Sequence, residues 1–140
     1  MKAATSMELF SGAGGLALGL ERTGWRHEIL IERDKNACST LRLNEAMGHP
    51  LTRAWNVHEC DVRNFDYKNI SGKIDLVAGG PPYQPFSLGG KHGAFRDGRD
   101  MFPEAVRAVR ELAPDCFIFE NVKGLLRQIF PTIFNTSYFN

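Results

Sequence analysis

Apolar positions along this chain come in short blocks that alternate between strand-like and helix-like spacing. Ala3–Phe10 reads as a buried strand and runs into a glycine-rich turn, Ser11–Gly15. Leu16, Leu18 and Leu20, with Ala17 and Glu21, predict a helix that stops near Gly24. His27–Glu32 predicts a second strand. Asp34–Met47 predicts a helix with Asp34 as its N-cap and Gly48 as its stop. A loop then leads to a short extended piece ending near Asp61. Ile74–Ala78 predicts a strand, Phe102–Leu112 a helix with Pro103 in its first turn, and Cys116–Glu120 a last strand. Beyond Gly124 the pattern is ambiguous, although Leu125, Leu126 and Ile129 suit the start of a helix.

Strands that alternate with helices predict an α/β fold with a doubly wound, mainly parallel sheet and right-handed crossovers. Ligands of such sheets sit beyond the carboxyl ends of the strands, where strand order reverses. Phe10, Glu32, Asp61, Gly79 and Glu120 all fall at or just after predicted strand ends. The chemistry is therefore expected along one rim.

Composition narrows the class. The chain has 140 residues, 43% of them apolar, which suits one domain with one core. No apolar run approaches the roughly 20 residues that span a bilayer, and no basic-then-apolar leader opens the chain. A cytoplasmic location is expected. Cys38, Cys60 and Cys116 are far apart with no C-x-x-C spacing, so no metal or redox use is expected, and Cys60 and Cys116 read as small buried hydrophobes. Seventeen basic against sixteen acidic residues leave a net charge of +1, so a nucleic-acid site would have to be local.

The stretch FSGAGG puts Gly12, Gly14 and Gly15 between a strand and a helix, where glycine permits a sharp turn and close approach to a ligand. With Ala17 it fits the loose G-x-G-x-x-A form of the dinucleotide fingerprint. Glu32 lies 20 residues past Gly12 at the end of the next strand, where a carboxylate accepts hydrogen bonds from ribose hydroxyls. Asp61, in Cys60-Asp61-Val62, is a weaker candidate to accept from the exocyclic amine of adenine. These residues predict a nucleoside-bearing cofactor. They do not separate a nicotinamide cofactor from S-adenosylmethionine.

The stretch GGPPYQPFS, Gly79–Ser87, separates them. It resembles the nucleophile loop of the DNA cytosine-5 methyltransferases, which have Pro-Cys-Gln at this point. ELFSGAGG resembles that family's S-adenosylmethionine turn, IERD its ribose segment, CDV its adenine segment, and GRDMFPEAVRAVRELAPDCFIFENVKGLL the approach to its Glu-Asn-Val motif. The resemblance implies a Rossmann-like fold that takes S-adenosyl-L-methionine and acts on a cytosine flipped out of duplex DNA. It implies cofactor contacts from Phe10, Ser11, Gly12, Ala13, Gly14, Gly15, Glu32, Arg33, Asp61, Val62, Pro82 and Met101. Glu120 is implied as the group at the ring N3 of the target base, held in a dry pocket with its pKa raised so that it donates a proton at neutral pH. Gln84, Ser87, Lys91, Arg96, Arg99 and Asn121 are implied as nucleic-acid contacts, with His92 adding to the local positive charge.

Two departures from the family pattern stand out. Tyr83 occupies the place of the family's cysteine. A thiolate adds to cytosine C6 and makes C5 nucleophilic, whereas a phenol has a pKa near 10 and an oxygen set beyond a rigid ring. Tyr83 is not expected to attack C6, and the chain is expected to be inactive as written. Nor does the sequence carry the family's arginine-bearing strand, target-recognition domain or final helix after ENVKGLLRQ. Residues 1–128 are read as the cofactor-binding and catalytic part, and residues 129–140 as a tail of unassigned role. Either the chain is a fragment or a second polypeptide supplies the remainder, and exposed apolar edges lead to the expectation of a partner chain or a self-associated state. Alternative readings are a non-catalytic S-adenosylmethionine- and DNA-binding module, a subunit of a split methyltransferase, and the tRNA-methylating branch of the family.

Overall fold

The structure, a computed structural model, describes residues 3–82 and 101–120. Among the described residues five strands run in chain order as β1 (Thr5–Leu9), β2 (Arg26–Glu32), β3 (Asn56–Glu59), β4 (Leu76–Gly79) and β5 (Cys116–Phe119). Helices α1 (Gly15–Arg22), α2 (Lys35–Ala46) and α3 (Phe102–Leu112) connect them, with two 3-10 turns, Val62–Asn64 and Tyr67–Asn69, between β3 and β4. All described pairings are parallel and the order is β3-β2-β1-β4-β5. The chain therefore leaves β1 in one direction and returns to β4 on its other side. The reversal lies between β1 and β4, as the doubly wound expectation requires.

Side-chain alternation along β1 sorts the core into two layers. Met7 and Leu9 join Ile31, Val77 and Ala105 under α3 and the 3-10 turns. On the other side Ala17, Leu30, Leu41 and Trp55 form one cluster and Leu20, Leu76 and Ala78 a second. Fully burying an aliphatic side chain of this kind contributes about 1.5–3 kcal/mol, so these layers hold the sheet between its helices.

The second layer also buries polar groups. Ser6 Oγ lies 2.6 Å from His27 Nδ1, and His27 Nε2 lies 3.4 Å from Glu8 Oε2. All three side chains are buried. Burial raises the Glu8 pKa, and the facing His27 ring opposes that shift.

Local signals account for most boundaries. Asp34 caps α2 by accepting from the Ala37 N–H at 2.8 Å, and Gly48 ends it with φ +69°. Pro103 sits in the first turn of α3, and Ala113, with φ +45°, ends it. Two expectations shift. Ile74 is buried but precedes β4, which begins at Leu76. Cys116 is exposed and Cys60 half-buried, against the expectation that both are buried. The reason at Cys116 is position, since β5 is the outermost strand and pairs only with β4 among the described residues.

Candidate functional site

A cavity of about 290 Å³ opens at the carboxyl ends of the central strands. Its walls are Phe10, Ile31, Glu32, Arg33, Cys60, Asp61, Val62, Gly80, Pro82 and Met101. The strand order brings these residues together from separate stretches of sequence.

The glycine turn sets one end. Phe10 leaves β1 with φ +58°, a left-handed conformation uncommon for a non-glycine residue, and turns the chain at the cavity rim. Gly12 and Gly14 follow at φ +52° and +89°. The Gly12 N–H donates to Glu32 Oε2 at 2.8 Å. Glu32 Oε1 accepts from the N–H groups of Arg33 and Asp34, both at 2.8 Å. The acid is thus fixed by three backbone donors while retaining acceptor capacity toward the cavity.

The other turn residues have packing roles. Ser11 Oγ donates to the carbonyl of Glu8 at 3.1 Å. A Cβ on Gly14 would come within 2.6 Å of Leu41 Cδ2 and 2.9 Å of Trp55 Cη2, so this glycine lets α1 settle on the α2 layer. Ser11, Gly12, Ala13, Gly14 and Gly15 do not line the cavity, whereas Phe10, Glu32, Arg33, Asp61, Val62, Pro82 and Met101 do.

Asp61 lines the cavity from the strand beside Glu32, where the Cys60 N–H donates to the Glu32 carbonyl at 2.9 Å. It caps the first 3-10 turn, with Oδ1 accepting from the Arg63 N–H at 3.0 Å and from Arg63 Nε at 2.9 Å. Its Oδ2 accepts from Arg63 Nη2 at 2.5 Å, and Arg33 Nη1 stands 3.7 Å away. The Arg63 hydrogen bond pulls the Asp61 pKa down to about 2. Burial pushes the Cys60 thiol up, which disfavours a reactive thiolate there.

The first glycine of the proline loop has a steric origin. Gly79 pairs with Leu9, and a Cβ on it would lie 2.7 Å from the Leu9 carbonyl oxygen. The Glu120 N–H donates to the Gly79 carbonyl at 2.9 Å. A Cβ on Gly80 would lie 3.5 Å from Glu120 Oε2. Glu120 thus stands at the root of the proline loop, but it is exposed rather than enclosed in a dry pocket, following β5, which pairs only with β4 among the described residues. Tyr83, Gln84, Ser87, Lys91, His92, Arg96, Arg99 and Asn121 lie outside the described residues.

Ile31, Cys60 and Gly80 line the cavity without being among the expected cofactor contacts. Ile31 and Cys60 each adjoin an expected contact, and Gly80 opens the proline loop; those positions are the available signal. Among the described residues no cluster of three or more His, Cys, Asp or Glu is arranged to hold a metal ion, and no helix is long and apolar enough to cross a membrane.

The model of the C-5 cytosine-specific DNA methylase family matches residues 4–138. The chain belongs to this family. It is 49% identical over 120 residues to the Type II methyltransferase M.PspPI of Psychrobacter sp., covering 85% of this chain and 27% of that protein. It is 51% identical over 122 residues to M.NgoMIV of Neisseria gonorrhoeae, covering 87% of this chain and 36% of the relative. For M.AquIA of Picosynechococcus sp. the identity is 41%, with 86% of this chain and 49% of the relative covered. The chain thus spans from about a quarter to about half the length of these curated relatives.

A solved structure described as a DNA modification methyltransferase encoded within an E. coli prophage superposes with a TM-score of 0.70 at 30% identity, over 91% of this chain and 34% of that one. A glycopeptide N-methyltransferase, MtfA, complexed with S-adenosyl-L-methionine, superposes with a TM-score of 0.58 at 16% identity, over 84% of this chain and 47% of that one. That likeness establishes the shared methyltransferase fold.

Proposed function

We propose that this chain is the cofactor-binding and catalytic-loop part of a DNA cytosine-5 methyltransferase, and that its cavity holds S-adenosylmethionine. The observation that carries the reading is the fixed position of Glu32 in one cavity with Asp61 and Val62, in a chain whose family acts on cytosine C5. The donor set fits a nucleoside. Glu32 accepts from the ribose hydroxyls, Asp61 and Val62 face the adenine edge, and Phe10, Pro82 and Met101 supply apolar walls. Bound there, S-adenosylmethionine supplies an electrophilic methyl group. The Gly12 clamp keeps Glu32 aimed before the ligand arrives, which lowers the ordering cost of binding.

Glu120, beside Gly80 at the start of the proline loop, hydrogen-bonds the ring of a flipped cytosine. Gln84, Ser87, Lys91, Arg96, Arg99 and Asn121 contact the DNA. Tyr83 does not act as the nucleophile, because its phenol is a weak acid and its oxygen lies too far from the backbone. The chain as written therefore binds but does not turn over. Phe117 and Ile118 on β5 are about half exposed, and a second polypeptide or a further copy of the chain covers them.

Calorimetry with S-adenosylmethionine, with and without duplex DNA, tests the binding half. Restoring the thiol with Tyr83→Cys and adding a C-terminal half of the kind the relatives carry tests the chemistry. Methyl transfer to duplex DNA by that assembly, with none from the Tyr83 chain, is the expected result. A covalent adduct between the unaltered chain and DNA carrying 5-fluorocytosine overturns the inactivity claim. Transfer to RNA but to no DNA overturns the substrate. Binding of cofactor and DNA without transfer, even with the thiol restored, favours a non-catalytic module.

A further inference from the structure

Arg107 on α3 reaches across to the stretch that forms the Asp61 corner of the cavity. Its Nη2 donates to the Val62 carbonyl at 2.8 Å and its Nη1 to the Phe65 carbonyl at 3.3 Å. These carbonyls belong to the first 3-10 turn and its C-cap, where a cation is electrostatically favoured. The guanidinium also lies 4.7 Å from the centroid of the Tyr67 ring in the second turn. Its orientation is set from its own helix, with Nε donating to Glu104 Oε2 at 2.8 Å and Nη1 to Glu111 Oε1 at 3.3 Å.

The two ends of this contact belong to the same cavity. Val62 lines it directly, and Asp61 caps the turn that Arg107 holds. Met101, the N-cap of α3, lines it as well. One guanidinium therefore ties the stretch that carries the Asp61–Val62 wall to the helix that starts after Met101. No long helix lies between β3 and β4 to stiffen that wall; it consists of two 3-10 turns, each three residues long. A flat fork with several donors can serve two carbonyls and two carboxylates at once, which an ammonium cannot do with the same geometry.

We propose that Arg107 is the positioning residue of this wall, holding the cavity open at the width the nucleoside needs. The proposal rests on the reading of the cavity as the S-adenosylmethionine site. Arg107→Lys keeps the charge and much of the packing but loses the fork, and Arg107→Met removes both charge and donors. In the full chain, amide hydrogen exchange at Asn64 and Phe65 is compared with exchange in β1, alongside calorimetric titration with S-adenosylmethionine.

In Arg107→Lys, exchange at Asn64 and Phe65 is expected to rise about tenfold with β1 unchanged, and cofactor affinity to fall about fivefold or more. Exchange that rises equally in β1 and in the turns means a general stability role and overturns the proposal. So does local loosening without a change in affinity. If Arg107→Met fails to fold, the lysine variant still decides. If the unaltered chain binds no S-adenosylmethionine, the cofactor reading fails, and the exchange contrast alone then decides whether Arg107 clamps the wall.

Discussion

The Gly12 N–H donates to Glu32 Oε2 at 2.8 Å, joining the turn after β1 to the last residue of β2. Twenty residues separate the two, yet each determines the other's place. The turn needs an acceptor for the Gly12 amide. The carboxylate needs donors that hold it toward the cavity, and the Arg33 and Asp34 amides supply the rest.

Replacing that acid exposes the dependence. In Glu32→Gln the side-chain nitrogen cannot accept, so either Gly12 or the Arg33–Asp34 pair loses its partner. Losing a hydrogen bond to a charged group costs about 1.5–3 kcal/mol, and the melting temperature is expected to fall accordingly. Calorimetry is expected to find S-adenosylmethionine binding weakened by about tenfold or more, since a tenfold loss needs only about 1.4 kcal/mol. Unchanged affinity with lowered stability would limit Glu32 to holding the turn.

The glycines of α1 and the preceding turn are not equivalent. Gly14 has φ +89°, and an added Cβ would meet Leu41 and Trp55 below 3 Å. Gly14→Ala combines backbone strain with overpacking and is expected to cost about 2–4 kcal/mol. Gly19 lies within α1 with nothing within 4 Å of an added Cβ. Gly19→Ala is expected to stabilise the protein by about 0.5–1 kcal/mol through helix propensity. Urea unfolding of the two variants checks the opposite signs.

Much of this architecture was legible in the sequence, and for identifiable reasons. The span of α3 follows from apolar spacing with Pro103 in its first turn, and that of α2 from Asp34 and Gly48. The cavity residues Phe10, Glu32 and Asp61 were legible because a parallel sheet puts its strand ends on one rim, and Val62 through the family resemblance. Gly79 was legible as a strand-end residue, but the reason it is glycine, the Leu9 carbonyl, was not, because register is a tertiary property. Arg107 carried no local signal, since its partners at Val62 and Phe65 lie more than forty residues away. The exposure of Cys116 was hidden for a related reason: an apolar strand has the same pattern at the edge of a sheet as inside it.

The buried Glu8 carboxyl gives stability a pH dependence of predictable sign. Burial raises its pKa in the folded chain, with His27 opposing. A raised carboxyl contributes stability fully below its unfolded value of about 4.3, and loses that contribution as pH rises through the folded value. Glu8→Gln keeps the shape but has no proton to lose. The stability of the unaltered chain relative to Glu8→Gln is therefore expected to fall as pH rises from about 4 toward neutrality. Urea unfolding across that range checks it, and a constant difference would remove Glu8 as the source.

Asp61 has the opposite sign and a different cause. Arg63 Nε and the Arg63 amide both donate to Oδ1, and Arg63 Nη2 to Oδ2. The side-chain hydrogen bond from Arg63 is the largest influence, and together these contacts pull the pKa down to about 2. A depressed carboxyl contributes stability above its unfolded value of about 3.9, and the contribution is lost as pH falls through the folded value. In Arg63→Ala the amide contact persists and Arg33 still stands 3.7 Å away, so the titration is expected to move up while staying below the ordinary carboxylate value. Carbon-detected NMR titration of the Asp61 carboxyl reads that midpoint directly. A midpoint that stays near 2 without the guanidinium would assign the depression to the backbone cap instead. The Arg63 side chain would then be free to leave the carboxylate to the adenine edge of a ligand.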